Sequence, residues 1–204
     1  DEMPEFSRRS LEILRQPLED KVIRISRVYG TYDFPADFML CAAMNPCPCG
    51  HYPDMNRCRC TPAQVMQYLG RISQPLLDRL DLCAEVSPVD FEGLSSGRKG
   101  ESTQTIRERV ICAQDIQRER YKIEGIQFNG ELSGAQIEKY CKMEKDARQL
   151  LKMAFQNMPF SARAYHRILK VARTIADMEA TESIHRHHIA EALSYRAFDK
   201  KYWN

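Results

Sequence analysis

The stretch DFMLCAAMNPCPCGHYPDMNRCRC, residues 37–60, decides how the chain is read, because it joins an apolar run to two Cys-x-Cys pairs across an Asn-Pro. Its first part, Phe38 to Met44, carries no polar face, as expected of a strand buried on both sides in an open α/β sheet. Asn45 would then stand at the carboxyl end of that strand, where such sheets hold their ligands. Taken alone, an Asn before proline also reads as a turn former. Cys47, Cys49, Cys58 and Cys60 follow, enough thiolates to close a tetrahedral Zn²⁺ site with no open position. C-x-C pairs are tighter than the C-x₂-C of common zinc ribbons, so metal-free thiols and two disulfides stay open as alternatives. His51 adjoins Gly50 in a turn and reads as exposed rather than as a ligand.

Working outward toward the start, FSRRSLEILRQPLED repeats Leu11, Leu14 and Leu18 at helical spacing, and Pro17 is expected to end the regular helix. KVIRISRVYGTYDF alternates apolar and polar residues around Tyr29-Gly30-Thr31 and predicts a β-hairpin. Toward the other end, Thr61, Pro62 and Gln64 supply a cap, an N1 proline and a capping box, so a helix should start there with Val65, Leu69 and Ile72 inward. SQPLLDRL predicts one more short helix. DLCAEV predicts a strand with Leu82, Ala84 and Val86 on one face. The Ser- and Gly-rich SPVDFEGLSSGRKGES reads as a linker at about 88–101. Beyond Ser102 every period is helical. The expected stripes are Ile106, Val110 and Ala113; Ala147, Leu150, Leu151 and Ala154; Ala164, Ile168, Val171 and Ile175, capped by Ser161; and Ile189 with Leu193.

Composition narrows the class. The 204 residues are 43% hydrophobic, and no apolar run approaches the ~20 residues of a membrane span. Nothing at the start resembles a signal peptide, and an initial Asp instead of Met suggests a piece of a longer protein. A net charge of +2 neither favours nor excludes nucleic acid. Of the eight cysteines, Cys41, Cys83, Cys112 and Cys141 are scattered singly and read as small buried hydrophobes, which fits a reducing, cytoplasmic setting.

Other residues carry possible chemistry. In DEMPEF, the adjacent Asp1 and Glu2 suit phosphate chemistry, one carboxylate serving Mg²⁺ and the other deprotonating a water, although solvated charges are the plainer reading. Arg79 in QPLLDRLDL could pair with Asp78 or Asp81, or reach a phosphate. Arg163 lies in the first turn of a capped helix, where a cation opposes the helix dipole unless an anion is near. In HRHH, His185 and His188 lie three apart without a fixed acidic or Cys partner, so a solvated helix start is preferred to a metal site. Tyr165, Tyr195, Tyr202 and Trp203 read as packing residues.

These signals, in this order, resemble the magnesium-chelatase-like AAA+ ATPases, and within them the competence-protein branch. The resemblance runs through DEMPEFSRRSLEILRQPLED, AAMNPCPCG, YLGRISQPLLDRLDL, SARAYHRILKVARTIADM and HIAEALSYR. It implies a partial AAA+ α/β core over 1–90 with a Cys-rich insertion at 44–60, a linker at 91–101, and an all-helical lid over 102–204. It further implies ATP and Mg²⁺ as cofactors, Asp1 and Glu2 as the end of Walker B, Asn45 as sensor 1, Arg79 as the arginine finger and Arg163 as sensor 2. The partners implied are identical subunits in a ring, expected to be hexameric, and DNA as the substrate of a branch-migration motor. The hairpin at 22–34 resembles the presensor-1 hairpin; Arg24 and Arg27 on it are the candidates to name for DNA contact, with a solvated strand face as the equal alternative. The chain departs from the family in having no G-x-x-x-x-G-K-[ST] phosphate loop, so alone it is expected to be inactive. Two rival readings are a zinc-stapled, non-enzymatic interaction or nucleic-acid module, and a motor subunit for metal insertion into porphyrins.

Overall fold

The computed structural model of the chain describes residues 1–87, 89, 91, 95, 100–158 and 160–196. They form two compact units, 1–80 and 81–196. Most of the linker expected at 91–101, together with Tyr202 and Trp203, lies outside the described residues. Among the described residues no helix is long and apolar enough to cross a membrane.

In the first unit a 3₁₀ turn over Met3–Glu5 leads to α1 (Arg8–Ile13) and α2 (Arg15–Asp20). Ser7 caps α1 by accepting from the Ser10 N–H at 3.1 Å. Pro17 does not end this helical stretch. It sits near the start of α2, and the break falls one turn earlier, at Leu14. A proline lacks the N–H that would bond four residues back and crowds that carbonyl, so the ladder fails before the ring, not after it. The hairpin follows as β1 (Val22–Arg27) and β2 (Gly30–Pro35), antiparallel, with Arg27 opposite Gly30. Its two linking residues are therefore Val28 and Tyr29, one position ahead of the turn read from the sequence. One side of the ribbon carries Ile23, Ile25, Tyr32 and Phe34, all exposed. The other carries the bidentate Arg24–Asp33 pair, at 2.8 and 3.0 Å, and the Ser26–Thr31 hydroxyl pair.

The expected strand over residues 37–45 does not form, and neither does the one over 81–86. Among the described residues the sheet has two strands only. A central strand exists by pairing on both edges, and no ladder is offered to Phe38–Ala43; Phe38 and Met39 are exposed. The architecture is thus a small two-stranded sheet with mostly helices.

Helix α3 (Pro62–Leu69) starts as expected: Thr61 Oγ1 accepts from the Gln64 N–H at 3.3 Å and Gln64 Oε1 from the Thr61 N–H at 2.8 Å. Val65, Leu69 and Ile72 are buried, and α4 (Gln74–Leu77) adds Leu76 and Leu77 to a core with Met3 and Leu11.

The second unit is helical: α5 (Thr103–Arg120), α6 (Gly134–Tyr140), α7 (Lys145–Asn157), α8 (Ala162–Met178) and α9 (Arg186–Ser194). Ile106 and Val110 do not face its core; in α5 only Ala113 and Gln117 are buried, so the apolar period continues past the part of the helix that has a partner. On α8, capped by Ser161 accepting from the Ala164 N–H at 3.1 Å, the buried stripe is Ala164, Ile168, Leu169, Ala172 and Ala176. Burial of this kind contributes roughly 25 cal/mol per Å² of apolar surface. The same helix buries Arg173 and Asp177 completely. Asp177 accepts from Arg120 at 2.9 Å, from Arg173 at 3.2 Å and from Asn129 Nδ2 at 2.8 Å, while Arg173 also donates to the Glu182 carbonyl at 2.5 Å. A buried charge is tolerable only when it is met this fully.

Candidate functional site

In the first unit, Met3 and its neighbours bring the start of the chain to the segment before Asn45. The Met3 N–H donates to the Ala43 carbonyl at 3.1 Å, and Met44 packs with Met3 in one core. Asp1 and Glu2 therefore lie two residues or fewer from one end of this contact, and Asn45 two residues from the other. All three are exposed. Glu2 is held in the left-handed region at φ 51°, and its N–H donates to Asp1 Oδ1 at 2.8 Å. A non-glycine residue there costs of order 1 kcal/mol or more.

Arg79, just past α4, is stowed rather than extended. Its Nε donates to the Arg15 carbonyl at 3.1 Å, one terminal nitrogen to the Pro75 carbonyl at 2.6 Å, and the other to the Glu19 carboxylate. The guanidinium pairs with neither Asp78 nor Asp81, the partners considered from sequence. Arg163, in the second unit, is exposed in the first turn of α8 beside the Ser161 cap.

The four cysteines converge. Cys47 Sγ lies 3.4 Å from Cys49 Sγ and 3.8 Å from Cys58 Sγ, and Cys49 Sγ lies 3.6 Å from Cys58 Sγ. With Cys60, all four sulfurs fall within 4.8 Å of one another. Ligands ~2.3 Å from a tetrahedral zinc stand about 3.8 Å apart, whereas a disulfide needs ~2.05 Å. The spacing fits a shared metal, and every cysteine among the described residues is a free thiol. Backbone amides reach the sulfurs: Tyr52 N–H donates to Cys47 Sγ at 3.4 Å. The His51 and Arg59 N–H groups together pull the Cys49 thiol down to about 6. Burial pushes Cys60 the other way, to about 12. Cys47 is fully buried against Val65, Tyr68 and Leu69, so the cluster ties the loop after Asn45 to α3. Of the four scattered cysteines only Cys141 is buried; Cys41 and Cys112 are exposed and Cys83 is half-buried.

A second ligand-rich trio, absent from the sequence reading, joins Glu179 to His187 and His188. Glu179 Oε2 lies 2.9 Å from His187 Nε2 and 3.0 Å from His188 Nε2. His188 is buried, and its Nδ1 accepts the His185 N–H at 3.0 Å as the cap of α9. A neutral imidazole carries one proton, so Nε2 must hold it and donate to Glu179. That leaves no lone pair for a metal on His188. The signal in sequence was Glu179 itself, six residues before HRHH across a loop.

Comparison with known proteins agrees with this layout. The family model described as magnesium chelatase, subunit ChlI, matches residues 1–94, and that described as magnesium chelatase, subunit ChlI C-terminal, matches residues 100–196. The uncharacterized protein YifB of Salmonella typhimurium is 46% identical over 202 residues, 98% of this chain and 39% of its own length. Competence protein ComM of Haemophilus influenzae is 46% identical over 198 residues, 97% of this chain and 38% of its own. The uncharacterized protein Rv2897c of Mycobacterium tuberculosis is 38% identical over 196 residues, 96% and 39%. The chain thus spans about two fifths of the length of these relatives. With the two models together covering nearly all of its residues, the chain belongs to the magnesium chelatase ChlI-like family.

Proposed function

We propose that the chain is part of a ring-forming AAA+ ATPase, hexameric and ComM-like, that spends ATP to drive branch migration of DNA. Residues 1–90 would contribute to the ATPase core and 102–204 would form its lid. The observation that carries this reading is the Met3–Ala43 hydrogen bond, which keeps an adjacent pair of carboxylates near an exposed asparagine. Glu2 would take the proton of the attacking water, a role worth roughly 10²–10⁴ in rate. Asn45 would orient that water through its side-chain amide. Asp1 would hold Mg²⁺, which when bound neutralises developing phosphate charge. Arg163 would reach the γ-phosphate from the lid. Arg79 would act on a neighbour's nucleotide, where such fingers contribute roughly 10³–10⁵; to do so it must exchange Glu19 for phosphate. Cys47, Cys49, Cys58 and Cys60 would hold a structural Zn²⁺, bracing the loop that carries Asn45. The relative named for competence supports DNA as the substrate.

In the full-length protein, replacing Glu2 by Gln is expected to lower ATP hydrolysis at least ~100-fold while nucleotide binding persists. Turnover at the unmodified rate would remove the motor reading. The 204-residue chain by itself, without a G-x-x-x-x-G-K-[ST] loop, is expected to show no turnover. The thiol cluster also suits a second reading, a zinc-stapled interaction module without activity, which predicts a full-length protein indifferent to ATP.

A further inference from the structure

Several cations in the second unit are answered by carboxylates. Arg109 meets Glu101, Arg118 meets Asp115, Lys139 meets Glu124, Arg167 meets Asp81, and Arg120 and Arg173 share Asp177. The stretch from Cys141 to Lys152 differs. Lys142, Lys145, Arg148 and Lys152 are all exposed, and among the described residues none of them is paired with an acid. Lys145 and Arg148 stand in the first turn of α7, where positive charge opposes the helix dipole and Asp146 is the one acidic residue of that turn. Glu144, at the N-cap, makes no side-chain capping bond that would offset them.

Three of them, Lys142, Arg148 and Lys152, line two adjoining clefts. One, of about 360 Å³, is bordered by Lys142, Arg148, Tyr165 and His166. The other, of about 380 Å³, is bordered by Arg148, Lys152, Phe155 and Tyr165. Glu138 is the one carboxylate on either lining. Arg148 and Tyr165 belong to both, so the clefts run into each other along the seam between α7 and α8. Across the seam Tyr165 stands edge-on to Phe155 with ring centroids 5.6 Å apart, and the start of α7 is tied to Ile184, where Glu144 N–H donates to the Ile184 carbonyl at 3.0 Å and Ile184 N–H to the Lys142 carbonyl at 2.8 Å.

We propose that this seam is a nucleic-acid track, on which a single strand lays its phosphates along Lys142, Arg148 and Lys152 and rests a base against Tyr165. The charge is of the sign a phosphodiester backbone needs. Its spread from the segment before α7 through that helix's first two turns suits an extended polyanion better than one compact anion. An aromatic ring between the cations is the element that lets single-strand binders hold bases without reading sequence. The track deepens the DNA reading above and rests on it, and it moves the contact from the hairpin residues Arg24 and Arg27 to the helical unit. Arg24 is already engaged by Asp33.

The test is fluorescence anisotropy of a short fluorescein-labelled DNA single strand titrated with the 204-residue chain at several salt concentrations. Binding is expected, and Arg148→Glu with Lys152→Glu should weaken it at least about tenfold and flatten the log–log salt slope by about 1.4, the share of two phosphate contacts. Arg148→Lys keeps the charge and should retain most of the affinity, which separates lost contact from lost fold; circular dichroism confirms the helices in each variant. Unchanged affinity in the double variant overturns the track, as does equal binding of polyglutamate, which would make the seam a general anion surface. Branch migration by the full-length protein is read alongside. Migration that survives while the double variant binds normally removes the track and leaves the DNA motor standing. Absence of migration in the unaltered protein removes the motor reading, and the titration alone then judges the track.

Discussion

The two units of this chain solve the same problem by opposite means. Residues 81–196 close a helical core around buried charges that satisfy one another, with Asp177 receiving two guanidiniums and an amide. Residues 1–80 have a thin apolar core and rely on four thiols to bring the loop after Asn45 against α3. The first unit leaves one face of its ribbon and Phe38–Met39 in solvent. The contrast teaches that helices can complete a core from local periods, whereas a sheet-building segment depends on partners far away in sequence.

The sharpest way to break this contrast is to deny the four thiols a metal. Chain purified without chelator is expected to carry a single equivalent of zinc by elemental analysis, and Cys58→Ser or strong chelation should remove it. The unfolding transition of residues 1–80 should then be lost, since metal binding is folding free energy in such sites, while the helical signal of 81–196 persists. Zinc-free protein with both transitions intact would show that the thiols brace nothing.

The converse experiment is next in size. Asp177→Ala leaves Arg173 buried without its counter-charge, and breaking a buried pair from one side costs about 3–5 kcal/mol. Chemical denaturation should show that loss in the second unit and none in the first. A shift below about 1 kcal/mol would mean that the Glu182 and Thr181 carbonyls, which Arg173 also reaches, hold the guanidinium unaided.

A smaller effect sharpens the same point by pH. Lys139 beside Glu124, with Tyr140 and Gln136 donating as well, holds the Glu124 carboxyl down at about 2. A folded-state value below the unfolded one stabilises at pH above the unfolded carboxylate range and is lost on acidification. Stability of the second unit should therefore decline as pH falls from about 4.5 toward 2, and Glu124→Gln should flatten that limb. An unchanged acid limb in the variant would remove Glu124 from the account.

What could be read from sequence follows from how local each signal is. Thr61 and Gln64 bond to each other's backbone within one turn, so α3 was legible, as was the Ser161 start of α8. The meeting of the four cysteines was legible because two tight pairs and a short loop leave few ways to close. The strand over 37–45 was misjudged because an unbroken apolar run states a need for neighbours without supplying them. Ile106 and Val110 were misjudged for the same reason on a helix. The charge network was missed although it left a trace: Arg173 and Asp177 lie four apart beside Ala172 and Ala176, placing two charges within an apolar stripe. Asp1, Glu2 and Asn45 could be named singly, but the Met3–Ala43 bond that relates them is a long-range fact.

His188 carries a constraint of another kind. Its buried ring accepts a backbone N–H at one nitrogen and donates to a carboxylate at the other. An asparagine side chain is short enough to imitate the first nitrogen and too short for the second; a glutamine reaches the second position and overshoots the first. Neither amide spans both, and any aliphatic replacement leaves a helix end unanswered and Glu179 with His187 alone. At this position the genetic code offers one letter that fits, which makes an inconspicuous buried residue less replaceable than most of the exposed charges around it.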